Sequence, residues 1–334
     1  MQKYRKLLIS ALLLAAVVAG AFLLVRRAQS PPEAARLLPE GDRLFYLNLR
    51  PVHLWELNKS KPVQLEGDYR EFVEQTGIQF ERDLDEVALS RRDTGDGRDV
   101  ESAEVFAGRF DRERLKSYLQ KNSSQTETYR DQIIFSVLHE GHTVRACILD
   151  GATVAVTNMV SAEPMHGMID RFRQPSGGSS LLQSYYHSVP LTSLAWVIDR
   201  IPANSNTPQL PGGLNFSFLE NTVAVASLRY NGTLLFQADV FAATEADARR
   251  VMDSANTFLA VYRTATGLVR TKGSDADVKA ALESIHVEQK GNVAVFTATF
   301  SQNFLKKILS EAQPESLAGA ASPAPTQQPQ SRKR

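Results

Sequence analysis

The stretch VAVASLRYNGTLLFQADVF, residues 223–241, decides the fold class of this chain. It holds two runs rich in β-branched and aromatic residues, 223–230 and 233–241, with Asn231-Gly232 between them. Asn-Gly favours a two-residue type I′ turn, because both turn residues there take positive φ angles. The stretch therefore predicts a β-hairpin, and with it an antiparallel sheet.

A helix is predicted directly after this hairpin. The residues Thr244 to Asp247 fit a capping box, and the helix they start has one apolar face, made by Val251, Ala255, Phe258, Leu259 and Tyr262. A second hairpin, 285–289 with 293–300, comes next. Ser301 is then expected to cap a last helix whose inner face holds Phe304, Leu305, Ile308 and Leu309. Residues 181–312 are thus predicted to form an α+β lobe.

Residues 39–173 are predicted to form another α+β lobe. Asp111 is placed to cap a helix whose inner face holds Leu115, Tyr118 and Leu119. Three strands, 133–138, 143–149 and 152–157, follow with short Gly-containing turns, which predicts an antiparallel meander. Helical spacing then predicts a closing helix that buries Met165, Met168, Ile169 and Phe172.

The two lobes share a strand-to-helix joint. Residues 105–111, VFAGRFD, lead to Leu115, and residues 295–301, VFTATFS, lead to Leu305. Alternate aromatic residues bury on one sheet face, and the capped helix folds back over them. We expect two related lobes of antiparallel sheet, each with helices packed on one side, joined by the linker 174–180. The alternative is that the lobes are unrelated and that each uses this common strand-to-helix joint independently.

An uncharged apolar run extends from Leu7 to Val25, between basic residues on either side. A helix of this length spans about 28 Å, close to the hydrocarbon core of a bilayer. The run predicts an uncleaved transmembrane signal-anchor. A signal peptide cleaved after Ala21 is the alternative, but the apolar run continues past that site.

The remaining segments follow from this anchor. Residues 1–6 are the expected cytoplasmic head, 26–38 a tether, and 313–334 a disordered tail rich in Pro, Ala, Ser and Gln. The short basic head favours retention inside, with the bulk of the chain outside the cytoplasm. We therefore expect a single-pass protein of the inner (cytoplasmic) membrane, which is periplasmic in its larger part.

Composition excludes some classes of function. The net charge of +1 gives no electrostatic reason to expect a nucleic-acid partner. Cys147 is the single cysteine, so no intramolecular disulfide can form. Its apolar surroundings predict a buried, inert thiol.

Three polar clusters are candidate sites. His139-Glu140-Gly141-His142 lacks the helical His spacing of a zinc protease, and its histidines are expected to be cross-strand neighbours at a turn. The acidic loop 93–99 has glycines where an EF-hand needs oxygen ligands. The paired carboxylates of Asp83 and Asp85 are expected to form turns.

Aromatic residues Tyr185, Tyr186 and Trp196 open the later lobe, and core packing is expected for them rather than a binding groove. The sequence has no phosphate loop, nucleophile elbow or CxxC motif. We therefore assign no catalytic, cofactor-binding or metal-ligating residue, and no cofactor.

Short motifs in residues 38–111 resemble uncharacterised bacterial single-pass extracytoplasmic proteins. The motifs are LPEGD at 38–42, FVEQTGI at 72–78, DLDEV at 83–87 and AGRFD at 107–111. The resemblance implies a membrane segment, this fold and the cell envelope, and it implies no chemistry.

The leading hypothesis is a non-enzymatic, membrane-anchored envelope protein that binds a protein partner. A carrier of a lipid or small apolar ligand is the first alternative, because lobes of this kind can part around a cleft. A hydrolase with an unrecognised site is the second.

Overall fold

The computed structural model describes residues 30–51, 67–93, 100–139, 141–203, 219–268, 280 and 283–301. The expected anchor from Leu7 to Val25, the loop residues 94–99, Glu140, the expected last helix after Ser301 and the tail lie outside the described residues. Within the described part, no helix is long and apolar enough to cross a bilayer.

Twelve strands and seven α-helices are described. The strands are β1 (Arg43–Asn48), β2 (Leu84–Asp93), β3 (Val100–Gly108), β4 (Gln125–Tyr129), β5 (Gln132–His139), β6 (His142–Ile148), β7 (Thr153–Thr157), β8 (Ala195–Ile201), β9 (Thr222–Tyr230), β10 (Leu234–Phe241), β11 (His286–Lys290) and β12 (Val293–Phe300). The helices are α1 (Glu33–Leu37), α2 (Gly67–Thr76), α3 (Phe80–Asp83), α4 (Arg112–Asn122), α5 (Glu163–Arg173), α6 (Ser180–Tyr185) and α7 (Glu245–Leu268), and a 3-10 turn (Tyr186–Ser188) follows α6.

All the described strands belong to one antiparallel sheet. Their order is β11-β12-β10-β9-β8-β1-β2-β3-β7-β6-β5-β4. The strands of residues 39–173 form one half and those of residues 181–312 the other, and the halves meet where β1 pairs with β8. Across this seam the rings of Tyr46 and Trp196 stack with their centroids 5.5 Å apart. The architecture is mixed α+β with a large antiparallel sheet.

Helices lie on both faces of the sheet, whereas the sequence placed them on one side. We call face A the side that carries Leu44 and Tyr46, where α1, α5 and α6 build the largest core cluster. Face B is the opposite side, where α4 covers Phe135 and Ala146 and α7 covers other strands. The reason is visible in β6, where Ala146, Cys147 and Ile148 are all buried, so both faces of the strand are apolar.

The β9–β10 hairpin forms as predicted, but its turn is not the expected two-residue type I′ turn. Leu234 pairs with Tyr230, so the loop is residues 231–233, and of these only Gly232 takes a positive φ, of +94°. The predicted caps are present. The hydroxyl of Thr244 accepts from the backbone N–H of Asp247 at 3.1 Å and donates to its carboxylate at 2.7 Å, which caps α7. The carboxylate of Asp111 accepts from the N–H of Arg114 at 3.1 Å and caps α4. Predicted core residues Met165, Met168 and Ile169 are fully buried.

Some boundaries differ from the expectation. Part of the expected tether, Glu33–Leu37, is helix α1, whose Ala34, Ala35 and Leu37 are buried in the core. Strand β3 ends at Gly108, so Phe110 of the expected strand-to-helix joint lies outside it. A Cβ at Gly108 would lie 2.1 Å from the carbonyl oxygen of Asp83, so this glycine lets the two backbones approach closely.

Candidate functional site

The aromatic patch expected at the start of the later lobe is part of the face A core. Trp196 is buried between Tyr46 and Tyr186, whose ring centroid lies 5.6 Å from that of Trp196. Tyr185 packs edge-on against Phe241 at 5.2 Å. These rings join α6 and the following 3-10 turn to the sheet, as core packing requires.

His139 and His142 are paired in register across the β5–β6 turn, so their prediction as cross-strand neighbours is confirmed. Both side chains are exposed. Over the described residues, no group of three His, Cys, Asp or Glu side chains is arranged to hold a metal ion. The pair therefore supplies two ligands at most.

The paired carboxylates of residues 83–86 do not converge. Asp83 binds Arg82 at 2.6 Å and accepts the backbone N–H of Gln79 at 2.9 Å. Its pKa is lowered, chiefly by the hydrogen bond from Arg82. Glu86 instead lies 3.0 Å from Arg50. Asp85 lies 3.8 Å from the same arginine. All three carboxylates are thus paired with arginines, so the group does not resemble an acid–base pair.

The single thiol is fully buried, as predicted. Cys147 lies in β6 beneath the face A helices, and burial raises its pKa to about 12. A thiol of this kind stays protonated and unreactive at neutral pH.

A polar cluster joins α5 to the edge strand β4, and sequence reasoning missed it. The Nε2 of His166 lies 2.7 Å from the carboxylate of Glu127, and its ring stacks on Tyr129 with the centroids 4.0 Å apart. The hydroxyl of Tyr129 donates to Asp170 at 3.1 Å, and Arg130 lies 2.8 Å from the same carboxylate. The cluster fixes a helix to a strand about forty residues away in sequence, which no local pattern could show.

A cavity of about 630 Å³ lies beside the first turns of α7. Its lining includes Asn221, Asp247, Arg250 and Ser254. Asp247 has a lowered pKa because the Thr244 hydroxyl and then Arg250 hydrogen bond to it. The lining also includes the apolar side chains of Ala242, Ala243 and Val251, and its polar groups are already paired in part.

The most unusual surface is the centre of face B. Here each of the five middle strands, β9, β8, β1, β2 and β3, places two half-buried side chains on face B. We call these ten side chains the central strip: Phe45 and Leu47, Val87 and Leu89, Glu104 and Phe106, Ala195 and Val197, Ala226 and Leu228. Among the described helices on this face, α4 packs on β5 and β6, and α7 packs on β11 and β12, on either side of the strip. Nine of these ten side chains are apolar. The described helices thus leave a half-buried apolar sheet surface between them, which is a candidate binding surface.

Five of the strip residues, one from each strand, belong to a row of paired residues that crosses the described sheet. In register, the row is Thr126, Phe135, Ala146, Val156, Glu104, Leu89, Phe45, Val197, Ala226, Ala238, Phe296 and Val287. Register partners share one face of a sheet, so the row is continuous across face B. Glu104 is its one ionisable member.

Glu104 lies between Leu89 and Val156 in this row. Among the described residues, no hydrogen bond or ion pair reaches its carboxylate, and burial raises its pKa. Arg91 is one diagonal position away on β2, but it is exposed and does not pair with it. Arg43, farther along face B, is paired with Asp199 at 2.7 Å. The strip thus combines an apolar surface with one carboxylate that lacks a partner.

Comparisons with known proteins add little to this site. No protein-family model and no curated protein matches the chain. Among solved structures, crystal form IV of TP0453 matches with a TM-score of 0.44 and 11% identity, over 83% of this chain and 96% of that one. Crystal form III of TP0453 matches with a TM-score of 0.44 and 12% identity, over 84% and 99% of the two chains. A likeness of this degree carries no functional argument.

Proposed function

We propose that this chain is a membrane-anchored, extracytoplasmic protein of the cell envelope that binds a protein partner and has no enzymatic activity. The central strip is the observation that carries the proposal. Its five strands are about 19 Å wide at a spacing of about 4.8 Å, which is wide enough to seat one secondary-structure element of a partner. The strip is wider than one acyl chain, which favours a protein over a single lipid.

Anchoring fits the position of the folded part. Helix α1 begins at Glu33 and is already packed in the core. Only residues 26–32 separate it from the expected anchor, and seven extended residues reach about 25 Å. An anchor from Leu7 to Val25 would hold the sheet close to the membrane surface, single-pass, where envelope partners are within reach.

Two related halves are also part of the proposal, and the order of elements supports it. Each half starts with a short face A helix, α1 or α6, and continues with a three-strand meander, β1–β3 or β8–β10. Each then has a face B helix, α4 or α7, and ends with a strand beside the third meander strand, β7 or β12. Two such halves placed side by side produce the wide central strip that neither would have alone.

The proposal is tested by capture from native membranes. The tagged full-length chain is purified in mild detergent beside Leu89→Glu, which places a charge in the strip. Leu138→Glu is the matched control, because Leu138 is a 66% exposed apolar residue outside the strip. Circular dichroism verifies that both variants are folded.

We expect one stoichiometric protein partner with the wild-type chain and with Leu138→Glu, and its loss with Leu89→Glu. A partner that survives Leu89→Glu would contradict the proposal. An enriched lipid in place of a protein would support the carrier alternative instead. Alkaline carbonate extraction of membranes tests the anchor separately, since a chain released into the soluble fraction would have no membrane-spanning segment.

A further inference from the structure

We propose that the central strip binds an amphipathic α-helix of the partner, whose apolar face carries one basic side chain placed opposite Glu104. The inference rests on the proposed function and names the element that is recognised. It follows from three properties of the strip, which are its backbone pairing, its width and its single charge.

The backbone of the strip is fully occupied. Each of its five strands is paired on both sides, as β1 is with β2 and β8. A partner strand therefore has no edge to extend here, and face B offers side chains alone. The docking element must satisfy its own backbone hydrogen bonds, which an α-helix does.

The width of the strip suits such a helix. An α-helix with its side chains is about 10–12 Å across, and the strip is about 19 Å wide. Helices α4 and α7 already pack on face B at either side, so an added helix would continue an existing layer.

The charge of Glu104 selects among apolar partners. Burial under a neutral helix would remove its carboxylate from water without compensation, at a cost. A second copy of this chain, strip on strip, would bring two unpartnered carboxylates into one apolar contact. An acyl chain offers no cation. A helix with one lysine or arginine on its apolar face supplies both the apolar surface and the missing charge.

Synthetic helical peptides of about 18 residues test the inference. One has a leucine- and alanine-rich face with a central lysine, and the second has glutamate at that position. Their dissociation constants are measured by fluorescence anisotropy with the full chain in lipid nanodiscs. We compare the wild-type chain with Glu104→Gln and Glu104→Lys.

Glu101→Lys is the matched control, because Glu101 is on β3 but faces away from the strip, 3.8 Å from Arg92. We expect the wild-type chain and Glu101→Lys to prefer the lysine peptide about tenfold. Glu104→Gln should lose this preference, and Glu104→Lys should reverse it. A preference that is absent from the wild-type chain, or unchanged in Glu104→Lys, would overturn the inference.

A reporter at Leu89 locates the bound peptide. Because Cys147 is fully buried, Leu89→Cys gives one accessible thiol for a fluorescent label. Binding of the lysine peptide should shift its emission to the blue, whereas an unchanged spectrum would place the peptide elsewhere and overturn the inference. The two proposals can fail separately. If the strip captures a native partner but shows no preference for the lysine peptide, the proposed function stands and only the helix with a basic residue is rejected.

Discussion

Glu104 and Leu89 are register partners on β3 and β2, so a carboxylate and an isobutyl group lie side by side in the middle of face B. Apolar residues normally occupy such a position, because an ionised group there loses water and gains nothing. An arrangement of this kind is kept at functional surfaces more often than in a core that serves stability alone. Glu104 is therefore the residue at which stability and function are expected to conflict.

Glu104→Gln should make the isolated protein more stable at neutral pH, by about 1 kcal/mol, the lower range for a polar group buried without a partner. Burial raises the pKa of Glu104, so between its unfolded and folded pKa values the native state keeps a proton that the unfolded state has lost. Its contribution to stability thus falls as pH rises through that range. Urea unfolding measures the free energy of unfolding of both proteins from about pH 4 to pH 7.

The difference between Glu104→Gln and the wild-type protein should grow with pH across this range. A difference that is constant across the range would mean that the carboxylate of Glu104 is as well solvated in the folded protein as in the unfolded one.

Asp83 should show the opposite dependence on pH. The Arg82 hydrogen bond lowers its pKa, so it stabilises the fold above its unfolded pKa, and this contribution disappears as pH falls through the lower folded value. Asp83→Asn should cost about 1–2 kcal/mol at neutral pH, as for hydrogen bonds to a charged group, and less below about pH 4. Chemical denaturation at neutral pH and below about pH 4 measures the free energy of unfolding of both proteins.

Asp131→Asn serves as the control for Asp83→Asn, because the Asp131 carboxylate is 94% exposed and asparagine tolerates its positive φ. A loss of stability in Asp83→Asn that is equal at both pH values would show that its shape, rather than its charge, supports the α3 turn.

Turns and caps could be predicted from the sequence because the residues that make them are neighbours in the chain. Asn231-Gly232, Asp111 and Thr244 each act within three residues, and the hairpin and both caps form where they were predicted, although the hairpin turn is not of type I′. Strand β4, with the sequence QTETY, was missed because it is polar and half-exposed at the sheet edge. Strand β8 was missed because AWVIDRI lacks the clear alternation of a one-sided strand.

The central strip could not be predicted, because it depends on pairing between distant strands. Phe45 and Val197 are 152 positions apart in number, and only the β1–β8 pair places them together. Glu104 is unremarkable in VESAEVF until the register shows which face it occupies. The cluster of Glu127 and His166 is of the same kind. Local sequence patterns specify individual helices and strands, whereas this surface depends on the order in which distant strands pair.

The thiol of Cys147 should report global unfolding. It is fully buried in β6, and its pKa is raised to about 12, so a thiol reagent such as Ellman's should react only when the sheet opens. The reaction rate in the native protein should then rise with urea as the unfolded fraction does. Fast labelling without denaturant would show that β6 opens locally.

The same thiol tests whether the two halves unfold together. Trp196 belongs to β8 and stacks on Tyr46 of β1, while Cys147 lies four strands beyond β1 in the other half. Trp196→Ala removes a buried ring and should cost about 3–5 kcal/mol. If the continuous sheet unfolds as one unit, this loss speeds the labelling of Cys147 by the corresponding factor, although Trp196 does not touch β6.

Leu138→Ala, which truncates an exposed side chain next to the β5–β6 turn, should leave the rate unchanged. A Cys147 rate indifferent to Trp196→Ala would mean that each half unfolds on its own and that the β1–β8 seam is a weak joint. Rapid labelling confined to Leu138→Ala would instead show that β5 and β6 open locally.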